Sequence, residues 1–161
     1  MKKLVVYYSL SGNTRAVAKR IARTLRADLM EIRTVKSYPD DYDVLLSLGQ
    51  REVRCGYMPQ LEALPLDANK YESVVLGTPV WWSTYAPAVK KFMAGVAWKG
   101  KKVYPFATHG GEMGHTPSDL RKALRGAQVA PVLGICFENS TQVTPAGEIA
   151  GEIKEWLGTI G

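Results

Sequence analysis

The chain has 161 residues, a formal net charge of +6, an apolar fraction of 46% and a charged fraction of 22%. That balance fits one globular domain over residues 1–161 and excludes a disordered or collagen-like chain, while no apolar run approaches the roughly 20 residues that cross a bilayer. Cys55 and Cys136 are too few and too far apart for a zinc ribbon, a C-x-x-C redox pair or a disulfide framework, and the basic residues do not interleave with aromatics as a nucleic-acid groove requires.

Residues 4–8 form a short apolar run and read as a first strand, entered at once with no signal-peptide pattern, so a cytoplasmic location is the expectation. Val17, Ile21 and Leu25 recur four apart over residues 13–27, with Arg15, Lys19, Arg23 and Arg26 on another side, so an amphipathic helix follows. Residues 28–32 predict a second strand, polar enough for a sheet edge. Pro39 and Asp40 then suggest the start of a helix carrying Val44, Leu45 and Leu48, ended by Gly56, Pro59 and Pro65 in an irregular crossover.

The continuous β-branched and apolar stretch 73–78 is the clearest strand, of the kind buried on both faces. Pro87 opens a helix through Val89, Phe92, Met93 and Val96, and residues 102–107 make a fourth strand. Thr116, Pro117 and Asp119 fit a capped helix start, with Leu120, Ala123 and Leu124 as its apolar side. A fifth strand over 128–137 is interrupted by Pro131 and Gly134, and Thr144 with Pro145 starts a last helix carrying Ile149, Ile153, Trp156 and Leu157. Strand and helix alternate throughout. The expected fold is therefore an α/β three-layer sandwich with a five-stranded parallel sheet in the order 2-1-3-4-5.

In that order the loops after strands one, three and four share the carboxyl edge of the sheet, beside the crevice where the winding reverses. The first, Ser9-Leu10-Ser11-Gly12-Asn13-Thr14, places hydroxyls and a glycine ahead of a helix amino terminus, a favourable setting for a phosphate. By itself such a turn is also compatible with a plain helix cap supplied by Ser11 or Asn13. The second loop, Thr78-Pro79-Val80-Trp81-Trp82-Ser83 with Thr84 and Tyr85, brings aromatic slabs. The third, Thr108-His109-Gly110-Gly111, brings glycines that let a backbone approach a flat ligand. Together they suit a flat heterocycle with a phosphate tail. No G-K-[S/T] follows the first loop, no acidic pair marks a receiver Mg²⁺ site, neither cysteine has the arginine of a phosphatase loop, and Ser11 lacks the G-x-S-x-G frame of a hydrolase.

The first loop matches [S/T]-x-[S/T]-G-x-T through Ser9, Ser11, Gly12 and Thr14, and the chain resembles the flavodoxin family over nearly its whole length. Gly77-Thr78-Pro79-Val80-Trp81-Trp82, with Tyr42 and Glu52, resembles a branch of short flavodoxin-like proteins with a G-x-P-[VI]-W-[WY] second loop. The resemblance implies non-covalent FMN, its phosphate on residues 9–14, its ring against Trp81 or Trp82 and the amides of residues 109–111. No metal and no catalytic side chain are implied.

Two features depart from the family's electron carriers, which are typically acidic and often flip a glycine peptide toward the flavin. This chain is +6, and no glycine lies between Pro79 and Tyr85. Three readings therefore stand: a carrier serving a redox partner protein, an FMN-dependent oxidoreductase passing electrons from NAD(P)H to a quinone-type small-molecule acceptor, and a non-catalytic FMN-binding module. Monomer and homodimer are both open.

Overall fold

The computed structural model of the protein describes residues 2–137 and 154–159. Its frame is β1 (Leu4–Tyr7), α1 (Asn13–Leu25), β2 (Asp28–Glu31), α2 (Tyr42–Cys55), β3 (Ser73–Trp81), β4 (Thr84–Tyr85), α3 (Pro87–Ala94), β5 (Lys102–His109), α4 (Thr116–Ala123), β6 (Gln128–Val129) and β7 (Leu133–Cys136). The sheet runs β2-β1-β3-β5-β6, every neighbouring pair on this path parallel, with β7 continuing the β6 edge along β5. This is the expected order, and β2 is an edge strand as its polarity suggested.

Each central strand is buried on both faces because its side chains alternate between two apolar layers. Leu4, Val6 and Tyr8 join a layer with Leu76, Val89, Phe92 and Leu120, under α3 and α4. Val5 and Tyr7 join Val17, Ile21, Phe106 and Trp156, under α1 and the helical residues 154–157. Winding therefore changes side between β1 and β3, which opens the crevice at their carboxyl ends. Gly77 lies in this crowded centre: a Cβ there would stand 2.2 Å from the Phe106 ring.

Several elements differ from expectation for local physical reasons. β3 does not stop at Thr78 but runs to Trp81 and returns as β4 through a two-residue turn, pairing Trp81 with Thr84 antiparallel. Pro131, which has no N–H for a ladder, divides the fifth strand into β6 and β7. Asp41, rather than Pro39 or Asp40, starts α2, its carboxylate accepting from Val44 N at 3.0 Å. Asp119 caps nothing: α4 has no side-chain cap, and the carboxylate accepts from Thr84 Oγ1 at 2.7 Å instead. The expected start of the last helix at Thr144 lies outside the described residues.

Candidate functional site

The first loop leaves β1 at the sheet's carboxyl edge and turns through Gly12, at φ 103° and ψ −10°, into α1. That conformation is open to glycine and costly for other residues. Gly12 is the N-cap, no side chain caps the helix, and its first turn holds no acid. The alternative of a plain Ser11 or Asn13 cap is thereby removed. The Ser9 hydroxyl oxygen accepts from the amides of Gly12 at 3.0 Å and Arg15 at 3.3 Å, bracing the loop and leaving its own O–H to donate. Among the described residues the amides of Leu10, Ser11 and Thr14 make no hydrogen bond. Unpaired amides at an uncapped helix start form an anion cradle.

A groove of about 780 Å³ begins at this cradle, within the range of small-molecule sites. Ser9, Leu10, Ser11 and Asn13 line it from the first loop, Pro79, Val80, Trp81 and Trp82 from the second, and Thr108, His109 and Gly110 from the third. The remaining candidates lie outside this lining. Gly12 shapes the turn, and Thr14 is buried with its hydroxyl 2.8 Å from that of Thr108. Thr78 is buried and accepts from Ala86 N, Ser83 lies in the hairpin turn, and Gly111 carbonyl holds the His109 ring at Nδ1, 2.6 Å away. A carbonyl partner fixes the proton on Nδ1.

The two tryptophans divide their work. Trp81 is 2% exposed and packs edge-on to Tyr8 and Tyr38, with ring centroids 6.5 and 5.0 Å away. Its indole Nε1 is a buried donor with no partner among the described residues, a state that costs about 1–3 kcal/mol and that a bound acceptor relieves. Trp82 is half-buried and, like Trp81, lines the groove. Its ring rests on α2 at Gly49, where a Cβ would stand only 2.2 Å away.

Trp82 and Ser83 both adopt positive φ, 47° and 67°, as two-residue hairpin turns of the I′ kind require. Neither residue favours that region. Tertiary contacts impose it: Gly114 packs against Ser83, His115 N donates to Ser83 O at 2.7 Å, and Thr84 bonds Asp119. The hairpin is thus fastened to the third loop.

A fourth wall escaped the sequence reading. The segment after β2 and the face of α2 contribute Glu31 to Thr34, Ser37 to Asp40, Tyr42, Leu45 and Leu46, together with Glu62. Val35 N donates to Gln60 O and Glu62 N to Arg33 O, tying the segment to the crossover that returns to β3. Arg15 also lines the groove, yet its guanidinium is committed to Glu31, Nη2 to Oε2 at 2.7 Å. Burial pushes the Glu31 carboxyl up, but the hydrogen bonds from Arg15 and Tyr7 outweigh it and hold it below the usual range.

Glu52, 7% exposed on the inner side of α2, accepts from the Tyr38 hydroxyl at 2.8 Å. Burial raises its carboxyl above the ordinary range against the opposing pull of Tyr38 and Arg51. Burial and Glu52 also keep the Tyr38 hydroxyl protonated far above its normal value. An acid raised on folding adds stability that is full below its ordinary pKa and fades as pH rises through the shifted one. Glu52→Gln keeps an acceptor for Tyr38 and should flatten the loss of unfolding free energy above about pH 4.5, as read by urea titrations across pH. An unchanged slope would contradict the assignment.

The residues present fit FMN. The cradle supplies neutral donors for a phosphate, the groove a Trp82 face and the third loop a glycine-lined wall. The profile of the flavodoxin family matches residues 2–144. A proposed flavoprotein from Bacteroides eggerthii is 25% identical and superposes with a TM-score of 0.79, over 99% of this chain and 97% of its own. A proposed flavoprotein from Bacteroides uniformis is 22% identical with a TM-score of 0.77, over 98% of each chain. A flavoprotein from Lactobacillus acidophilus, solved in complex with FMN, is 23% identical with a TM-score of 0.73, over 83% of this chain and 92% of its own. No curated protein matches the sequence significantly. With the switch-point crevice, the uncapped Ser9-to-Thr14 loop and this match over most of its length, the chain belongs to the flavodoxin family.

Proposed function

We propose that this chain is a non-covalent FMN-binding redox protein, a single flavodoxin-like domain over residues 1–161. It acts in the cytoplasm, as a monomer or homodimer, between an electron donor and either a partner protein or a small-molecule acceptor. The observation that carries this reading is the first loop: unpaired amides at Leu10, Ser11 and Thr14 and an uncapped α1, with Ser9, Leu10 and Ser11 lining the mouth of one groove. FMN, when bound, supplies reversible electron transfer. The chain's residues hold the phosphate, stack on the ring through Trp82 and shield it through Pro79 and Gly110. Among the described residues no helix is long and apolar enough to cross a membrane.

One observation favours an oxidoreductase over a one-electron carrier. The turn beside the ring is fastened by the His115 N–H to Ser83 O bond and by Thr84 on Asp119, so a peptide flip there would break the first of these. Anaerobic stepwise reduction of the FMN-loaded protein tests this. The expected result is reduction in a single two-electron phase with rapid reoxidation by a quinone. A long-lived one-electron-reduced species would favour the carrier.

A further inference from the structure

The chain's excess of positive charge gathers at the end of the sheet that the groove does not use. Strands β1, β3, β5 and β6 all begin at the amino edge, about 26 Å from the loops at the carboxyl edge, the length of the eight residues of β5 at about 3.3 Å each. Lys2, Lys70, Lys99, Lys102 and Arg125 lie in or beside the segments that enter these strands, and all five are exposed. Arg23 and Arg26 join them where α1 ends. Against them stand Asp28, already bonded to Lys2 and Tyr71, Asp67, which caps Asn69 N, and Glu72. A cation in a last helical turn offsets the partial negative charge there, which accounts for Arg23. It does not account for Lys2, Lys99, Lys102 or Arg125, which lie outside the helices.

These cations form one surface, because the segments that carry them are bonded to one another. Gly100 N donates to Gly126 O at 3.1 Å, and a Cβ on Gly126 would stand 3.4 Å from Lys99 Cα, so the turns of Lys99 and Arg125 lie side by side. Ala97 N donates to Asn69 Oδ1 at 2.9 Å, and the buried Lys101 ammonium donates to the carbonyls of Asn69 and Tyr71, which joins both turns to Lys70. Among the described residues Lys70, Lys99, Lys102 and Arg125 form no ion pair.

The chemistry of this edge selects its partner. A protein interface has an apolar centre poor in charge, and a single-stranded nucleic acid takes stacking aromatics. Residues 97–102 and 124–128 expose neither: Trp98 is buried with its indole N–H donating to Met93 O at 2.8 Å, and Leu124 is buried. A diffuse anionic surface needs only cations spread over a face. We propose that the amino edge of the sheet docks on the headgroups of an anionic lipid bilayer through Lys99, Lys102 and Arg125, with Lys70 beside them, and so holds the groove toward solution. Docking is independent of what the groove holds.

Co-sedimentation of the FMN-loaded protein with vesicles tests this. Vesicles of phosphatidylcholine with about one-third phosphatidylserine should retain the protein, less so as salt rises, and vesicles of phosphatidylcholine alone should not. The triple variant Lys99→Gln, Lys102→Gln, Arg125→Gln should bind about 100-fold more weakly, at about fivefold for each cation near the surface. The triple variant Lys19→Gln, Arg20→Gln, Lys36→Gln removes the same charge from exposed positions away from this edge and should lose no more than about fivefold in all. Circular dichroism and FMN affinity, both unchanged, check that the variants fold. Acrylamide, a neutral quencher, should reach the flavin equally with and without vesicles, and flavin-free protein should be retained alike. Failure of phosphatidylserine vesicles to retain the protein, an equal loss in both triple variants, or shielding of the flavin on binding would each overturn the proposal. So would tighter binding to duplex DNA or to polyglutamate than to the vesicles, lost in the first variant, since the partner would then be a nucleic acid or an acidic protein.

Discussion

Replacing Gly12 with alanine should weaken FMN binding by about 100-fold, the loss of one or two charge-assisted hydrogen bonds at about 1.5–3 kcal/mol each. The reason lies in the backbone. Gly12 sits at φ 103°, ψ −10°, and it is the hinge that turns the neighbouring amides toward one point ahead of α1. A Cβ forces the loop either to keep that conformation with strain of about 1–3 kcal/mol or to relax and scatter the amides. Calorimetric titration with FMN and with riboflavin separates the two effects. Riboflavin, which has no phosphate, should bind the variant and the wild type within a few-fold of each other. An equal loss for both flavins would mean that Gly12 supports the fold and not the phosphate.

The second large effect is expected at a glycine remote from the phosphate. Gly49→Ala should favour the isolated α2 by up to about 1 kcal/mol, because glycine is a poor helix residue. The same methyl group would lie 2.2 Å from the Trp82 ring, which must then leave its seat. Stacking on an aromatic face contributes about 1–3 kcal/mol, so FMN affinity should fall about tenfold or more. Trp82→Leu in the Gly49 background should reproduce that loss, and Gly49→Ala should add little to it. Unchanged FMN affinity in Gly49→Ala would show that Trp82 does not stack on the ring.

These two glycines mark the boundary of what the sequence reveals. Gly12 was legible because it sits in a hydroxyl-rich turn between a continuous apolar strand and a helix with residues four apart, a pattern set by local chemistry. The same holds for β1, β3, α1 and the parallel order, since strands buried on both faces must be apolar throughout. Gly49 was not legible, because its reason is a ring delivered by a hairpin distant in sequence. That hairpin was hidden too. A two-residue turn of Trp82 and Ser83 opposes the usual Asn-Gly preference and exists only because Gly114, His115 and Asp119 hold it.

The fourth wall of the groove had no periodic signal at all. Residues 33–40 are irregular, and their placement depends on backbone bonds to the crossover at Gln60 and Glu62. Tyr42 and Glu52 could be singled out by resemblance, but their separate roles needed the fold. Glu52 turns inward to Tyr38, whereas Tyr42 stands in the open on the groove rim. Arg15, read in the sequence only as part of the basic side of α1, lines the groove with its guanidinium paired to Glu31.

The central claim is that the loop from Ser9 to Thr14 holds the phosphate of FMN through neutral donors. It is tested most directly by titrating the flavin-free protein with FMN and riboflavin at two salt concentrations. FMN should bind at least about 100-fold more tightly than riboflavin, since at least two charge-assisted donors at about 1.5–3 kcal/mol each serve the phosphate. That preference should persist at high salt, because neutral amide and hydroxyl donors carry no net charge for salt to screen. Equal affinity for the two flavins, or a preference that vanishes with salt, would contradict the assignment.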